Sequence, residues 1–425
     1  MSRHPRERRG LDRREFLQRS AAATLGLSGA GAFLAACASD EPAGAPAETG
    51  GGGDTSTAPF ELARKDNPVT LPLFDDNPAV ASGLSPEAGP LKIYNWIDYL
   101  DKATLKKFAK EFGVKTEITV FNTMDEAIAK LQAGTDFDVF FPTPDRLGKL
   151  VAAKLLQPIN LDYLPNLQNM WPELQDPFYD VGSRYTVPYV IYTTGIGYRT
   201  DHVKPPPETF DNPYDVFYEE AYKGRTYLLD DYREAIAMLL LRNGVTDVNT
   251  GDEAALEQAR QDLLALTDAV NVKTSVLDYT LVPEGQAWLH QAWSGDFVSA
   301  QYYLPKGVDY TVLGYWYPPD GGGLIGSDTM AILRSAKNPV LAHEFLNFMM
   351  DNDNAYANFY NFVGYQPPLT SLNPDRLVTD EVVPPHLDTT VVREEDFDTG
   401  YTLLELSPEV DARWQNIWAE FKSGA

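Results

Sequence analysis

The chain has 425 residues, 44% apolar and 23% charged, with 31 Gly and 31 Pro. That composition excludes collagen-like and wholly disordered chains, and the length allows a core that needs no disulfide or metal staple. The formal charge of −26 repels phosphate backbones and argues against nucleic acid as a partner.

The charge is uneven. Residues 1–36 hold seven Arg against Glu7, Asp12 and Glu15, a net of +4 that leaves −30 for the rest. Arg13-Arg14 precede Phe16-Leu17, and Ser20 to Ala36 is almost wholly small and apolar. As a helix those residues span about 25 Å, short of the roughly 30 Å hydrocarbon core. The segment is rich in Gly and Ser, and it resembles a twin-arginine export signal. It ends in Leu34-Ala35-Ala36-Cys37, which resembles a lipoprotein lipobox. Cys37 is the only cysteine. With its thiol carrying a lipid, disulfides and cysteine catalysis are both excluded. Residues 1–36 are thus expected as signal, and the protein as exported and held at a membrane only through Cys37. Residues 38–58 carry almost no large apolar side chain, so a flexible tether is expected over 37–88.

Order is expected from Leu91. Leu91-Lys-Ile-Tyr-Asn-Trp96 reads as a strand, and Lys102 to Phe112 as a helix with Leu105, Phe108 and Phe112 on one face. Val114 to Phe121 is a strand, Thr123-Met-Asp-Glu126 a capping box, and Phe137 to Phe141 a third strand. Thr143-Pro144 opens a further helix. This β-α-β-α-β order predicts an α/β fold with a parallel sheet. The alternation recurs: a strand at 225–229, helices at 234–241 and 252–266, and a strand and helix over 288–303. A strand at 321–333, a helix after Asn338-Pro339 and a last helix after Ser407-Pro408 complete it. Two extended runs, 185–197 and 315–326, suit crossovers between lobes. Lobe 1 is expected from 89–192 and 318–425, lobe 2 from 193–317.

Enzyme signatures are missing. The five His are scattered, and no nucleophile elbow, phosphate-binding loop or dinucleotide fingerprint occurs. Asp351-Asn-Asp-Asn lacks the Gly and Glu of a calcium loop, so no metal and no cofactor are expected. Aromatics do recur beside acids at the ends of expected strands. These clusters are Trp96-Ile-Asp98-Tyr99, Asp230-Asp231-Tyr-Arg-Glu234, Trp293-Ser-Gly-Asp296, Ser327-Asp328 and Tyr365-Gln366. One Trp is usually core, and one Asp after a strand usually caps a helix. Five clusters at strand ends, where open α/β sheets place ligands, suit an organic cation.

Tyr94-Asn-Trp-Ile-Asp-Tyr99 and Tyr222-Lys-Gly through Asp230-Asp231-Tyr-Arg-Glu234 resemble segments of the spermidine/putrescine-binding proteins of ABC importers. Trp293-Ser-Gly-Asp296, Ser327-Asp328 and Gly364-Tyr365 follow in the same order. The resemblance covers about residues 91–420. It implies a two-lobed periplasmic-binding-protein fold of type II, with the ligand cleft between the lobes and an ABC permease as partner. It also implies that Trp96, Tyr99, Trp293 and Tyr365 wall the site, while Asp98, Asp231, Glu234, Asp296 and Asp328 bind the amines. The chain departs from the family in Ile97, where Ser or Thr is common. It also lacks an aromatic before Asp328, where Leu324-Ile325-Gly326 stands. A polyamine is therefore the expected ligand. An opine or basic amino acid derivative on the same fold is the alternative, and an exported carboxylate-based hydrolase is the reading from another class.

Overall fold

A computed structural model describes residues 60–424. Arg13, Arg14 and Cys37, together with residues 37–59 of the expected tether, lie outside the described residues.

The body opens as the patterning predicts. Strands β1 (Leu91–Trp96), β2 (Thr116–Phe121) and β3 (Val139–Phe140) alternate with helices α1 (Lys102–Phe112) and α2 (Met124–Gln132). β1 is parallel to both of its neighbours. Asp101 caps α1 by accepting from the N–H groups of Ala103 and Thr104, both at 3.1 Å, and Gly113 stops it at φ +67°. Phe108 of α1 is fully buried against the sheet, which is why this face folds down. At α2, the Glu126 N–H donates to Thr123 Oγ1 at 3.2 Å, satisfying one of the free donors of the first turn.

The later elements are β4 (Leu156–Gln157), β5 (Thr186–Arg199), β6 (Thr226–Leu229), β7 (Lys273–Ser275), β8 (Leu289–Trp293), β9 (Leu313–Trp316) and β10 (Leu324–Leu333). Helices α3 (Tyr232–Arg242) and α4 (Glu253–Val270) lie between β6 and β7. The helix α5 (Ser294–Ala300) follows β8, and α6 (Pro339–Met349) follows β10. The strands run β2-β1-β3-β10-β5-β8-β6-β7, with β4 on β10 and β9 on β5. β6 is parallel to β7 and β8, so each end of the order carries a parallel set, as two α/β lobes require. β5 and β10 join them. The first part of β5 pairs antiparallel with β10, and its last residues pair with β8 and β9.

Lobe 1 packs two cores on its part of the sheet, one around Phe108, Val187 and Phe345 and one around Phe121, Phe140 and Tyr185. Lobe 2 does the same around Phe217, Leu239 and Leu263 and around Phe297 and Tyr315. A small separate cluster of Trp171, Leu174, Ile191, Ile325 and Val392 lies where the chain crosses.

Two expectations need correction. Residues 318–425 do not all belong to lobe 1. Leu377, Val383, Leu387 and Val391 pack with Phe297 and Tyr315. The chain has thus crossed a third time between α6 and Leu377, and it touches β10 again farther on, where the Ile325 N–H donates to the Tyr401 carbonyl at 3.0 Å. Its last helix, α7 (Pro408–Ser423), lies on lobe 2. The stripe of Trp414, Ile417 and Phe421 buries itself beside Leu263 and Leu266, and Trp414 Nε1 donates to the Thr250 carbonyl at 3.1 Å. This crossing adds to the two extended runs expected as crossovers.

The second correction concerns residues 60–88, which are docked on lobe 1 rather than free. Val69 and Leu71 are buried. The Val69 N–H donates to the Phe178 carbonyl at 2.8 Å, Arg184 to the Leu71 carbonyl at 2.7 Å, and Tyr185 Oη to the Pro72 carbonyl at 2.6 Å. At the end of this strap, Glu87 accepts from the N–H groups of Val340 and Leu341, at 3.3 and 2.8 Å, in the first turn of α6. A carboxylate there meets both free donors and the helix dipole. Glu87→Ala is therefore expected to lower the unfolding free energy by about 1 kcal/mol in a denaturant titration. An unchanged midpoint would mean that the strap is undocked in solution.

Candidate functional site

The nine site residues expected from the sequence lie on β1 and the turn after it, on α3 and its cap, where β8 meets α5, on β10 and at Tyr365. After β1 the chain turns at Asp98, whose φ is +52°, in the left-handed region that Asp tolerates better than most residues. The turn sends Tyr99 inward, where its hydroxyl donates to Asp328 Oδ2 at 2.7 Å. Asp98 stays exposed and accepts from Tyr279 Oη, across from lobe 2, at 3.0 Å. Trp96 is half-buried and anchored by a 3.1 Å bond from Nε1 to the Phe141 carbonyl. Both Trp96 and Trp293 pack against the same lobe 1 core.

Asp328 sits on β10 at an irregularity in its pairing. Asp328 pairs with Val190 and Thr329 with Pro188, so Tyr189 of β5 has no register partner. Proline has no N–H for the ladder, and a bulge of this kind re-aims the neighbouring side chains.

On the lobe 2 side, Asp231 caps α3, accepting from the N–H groups of Arg233 and Glu234 at 2.8 and 3.2 Å. One oxygen of Asp231 is thus engaged structurally. Glu234 is 5% exposed, and its Oε1 accepts from Trp293 Nε1 at 3.0 Å. Asp296 is 7% exposed, in the first turn of α5, and does not cap that helix. Tyr365 lies flat on this turn. A Cβ on Gly295 would stand 2.3 Å from its ring, and one on Gly364 would stand 2.4 Å from the Gly295 carbonyl. The two glycines are what allow Trp-Ser-Gly-Asp and Gly-Tyr to interlock. Tyr365 meets Tyr99 edge-on, with centroids 4.9 Å apart.

Sequence reasoning missed Asp278, Tyr279 and Tyr192. Asp278 is fully buried beside Asp296, with no cation among the groups that act on it. Asp278-Tyr279 repeats the acid-next-to-aromatic pattern used for the other clusters, and that signal would have found it. Of the minor members, Asp230 turns outward to Lys422 at 2.8 Å. Gln366 bonds the Val392 backbone at the crossing.

The electrostatics are those of buried acids with no cation among the groups that shift them. Burial raises the Glu234 carboxyl to about 8, with Asp231 adding to the rise. Burial raises Asp328 to about 7, with Asp145 adding to it and the Tyr99 and Tyr192 hydroxyls opposing. Burial also raises Asp296 to about 7, while Asp278 stands well above its ordinary range through burial and its proximity to Asp296. The groups shifting these four are acids, tyrosines, Thr194 and Trp293, with no lysine or arginine among them. Glu234 Oε2 and Asp328 Oδ1 have no hydrogen-bond partner either. The acids fall into two groups, or poles: Asp278 acts on Asp296, while Asp328 and Glu234 both act on the Tyr192 hydroxyl, and Tyr365 feels both Asp296 and Asp328. Behind the second pole a latch ties the lobes. Arg146 donates to Tyr232 Oη at 2.6 Å, and Tyr232 donates to Asp411 of α7.

The family model of the bacterial extracellular solute-binding proteins matches residues 103–384. This chain belongs to that family. The solute-binding protein is 30% identical over 295 residues to the spermidine/putrescine-binding periplasmic protein of Salmonella typhimurium, covering 69% of this chain and 80% of the relative. It is 29% identical over 293 residues to the putrescine/cadaverine-binding protein of Pseudomonas aeruginosa, covering 66% and 80%. A solved structure of a putative spermidine/putrescine ABC transporter from Listeria monocytogenes matches it with a TM-score of 0.67 at 26% identity, covering 78% of this chain and 98% of that one. The two-lobed type II fold is the one these proteins share. They are named for binding and transport rather than for catalysis.

The raised carboxyls have a measurable consequence. Unfolded, these groups ionise near 4, whereas in the folded protein Asp296 and Asp328 hold their protons to about 7 and Glu234 to about 8. Between those limits the folded state binds more protons than the unfolded, so stability falls as pH rises, by about 1.4 kcal/mol per unit for each such proton. The unliganded protein is expected to be less stable at pH 8 than at pH 5 in urea titrations, and Asp328→Asn to flatten that slope. A mutant profile parallel to the wild type would contradict the raised Asp328.

Proposed function

We propose that this solute-binding protein captures a polyamine for an ABC importer from the outer side of the cytoplasmic membrane, held there by a lipid on Cys37. The observation that carries the reading is the set of four buried carboxylates with no protein cation, walled by Trp96, Tyr99, Trp293 and Tyr365. Burying an uncompensated carboxylate is costly, and an ammonium donating into it removes that cost. Indole and phenol faces attract the same cations and cover the methylenes between them. Two separate acidic poles suit a ligand charged at both ends. The lobes already touch through Asp98–Tyr279 and Arg146–Tyr232, so a ligand held between them favours closure and presents one joined surface to the permease. The ligand leaves unchanged.

Calorimetry with putrescine, spermidine, spermine and arginine tests the reading. One amine is expected to bind stoichiometrically and be recovered intact. Failure of all four to bind, or conversion of any of them, would overturn it. Asp296→Asn removes one partner of a desolvated charge pair, which costs about 2–5 kcal/mol, roughly 30- to 5,000-fold in affinity. The same change at the exposed Asp247 is expected to cost less than about 1 kcal/mol. Equal affinities in the two mutants would remove Asp296 from the site.

The anchor has its own test. Cys37→Ala is expected to release the mature protein from membranes into the soluble fraction. A mutant that still sediments with membranes in high salt would rule out the lipid.

A further inference from the structure

Along β5, β8 and β10 nearly every residue is buried. The exceptions are Tyr192, Trp293 and Gly326, one on each strand. These three positions mark where the cleft reaches the sheet. Tyr192 and Gly326 are register partners. Partners in an antiparallel pair project from the same face, close enough for one large side chain to cover the other position. Gly326 projects nothing, and Tyr192 takes its volume. A Cβ built on Gly326 would stand 2.8 Å from both Cζ and Oη of Tyr192. The ring thus lies over β10, two residues from Asp328, with its edge against Tyr365 at a centroid distance of 5.9 Å. The acids that act on its hydroxyl are Asp328, Glu234, Asp145 and Asp231, in that order. Tyr192 therefore stands at the Asp328–Glu234 pole. It supplies from β5 the aromatic wall that Leu324-Ile325-Gly326 cannot supply from β10.

We propose that Tyr192 is the specificity-determining residue of the site, its ring closing the Asp328–Glu234 pole so that a diamine fits and a triamine, longer by an aminopropyl arm, does not. The assignment rests on the polyamine reading above. The ring fills the pole from the side, and a ligand reaching from the Asp278–Asp296 pole ends against it. A smaller residue at 192 opens room for the extra arm. A side chain at 326 collides with the ring and narrows the pole further.

The test is the ratio of putrescine to spermidine affinity, which is insensitive to any fraction of protein that fails to fold. The wild type is expected to favour putrescine by at least about tenfold, the discrimination one pocket group usually provides. Tyr192→Ala is expected to bring the ratio to within about threefold. Tyr192→Leu, which keeps apolar volume and is the safer variant to fold, is expected to do the same. Gly326→Ala is expected to weaken both ligands, and adding Tyr192→Ala to it to restore them. Tyr192→Phe keeps the wall and the ratio. It is expected to move the pH midpoint of binding upward, because the Tyr192 hydroxyl helps hold Asp328 ionised. An unchanged ratio in both small variants, with wild-type binding intact, would overturn this inference and leave the polyamine reading standing. So would a wild type that prefers spermidine. A wild type that binds neither amine would overturn this inference, and one that also fails to bind spermine and arginine would overturn both.

Discussion

Taking a carboxylate out of water costs several kcal/mol unless a cation or a full set of donors replaces its hydration shell. Glu234, Asp278, Asp296 and Asp328 are all out of water, and the surrounding residues meet that cost only in part. Tyr99 and Trp293 donate one hydrogen bond each. Tyr365, Tyr192 and Thr194 offer further hydroxyls, but no lysine or arginine acts on any of the four. Much else follows from this arrangement. The glycines at 295 and 364 bring a tyrosine ring against the acids. The register shift beside Pro188 and the turn at Asp98 settle how Asp328 and Tyr99 meet. The arginines nearby are engaged elsewhere, Arg146 with Tyr232 and Arg233 with the Leu404 carbonyl and the Trp414 face.

On the reading proposed above, the same residues would tie recognition to lobe position. Asp328 lies on β10 and Glu234 on α3, and β5 runs beside both lobes. A ligand that satisfies both poles bonds to groups from both sides and so favours the closed arrangement over any open one, in proportion to that difference in contact. The crossing cluster around Ile191, Ile325 and Val392 is small and separate from the main cores, which suits a place where the chain bends.

The general architecture was legible because it is written in local periodicity. Leu105, Phe108 and Phe112 announce α1, and Thr123 with Glu126 announces α2. Trp96, Glu234, Trp293, Asp296, Asp328 and Tyr365 stood out because acids beside aromatics at strand ends are conspicuous. Asp278 escaped because it sits on the four-residue helix Asp278–Leu281, too short to show a period. Tyr192 escaped because β5 reads as one continuous apolar run, and only its register against Gly326 reveals what its ring covers. The strap was invisible for another reason. Residues 69–72 are held largely through their backbone carbonyls, which carry no sequence signature. The placement of α7 on lobe 2 depended on a third crossing, and an amphipathic stripe says only that a helix has a buried face, not which lobe buries it.

That third crossing bears on how the chain is made. Lobe 1 takes segments before and after lobe 2's first strands, and lobe 2 is finished by Trp414, Ile417 and Phe421 of α7. Domains usually fold in turn as they leave the ribosome, the N-terminal one first. Neither lobe here can do so, because each waits for residues synthesised after the other has begun. Native lobe 2 is therefore reached only once residues 408–423 have emerged to cover it. A message truncated before residue 408 would yield a protein with the apolar flank of α3 and α4 uncovered, prone to aggregation rather than merely weaker in binding.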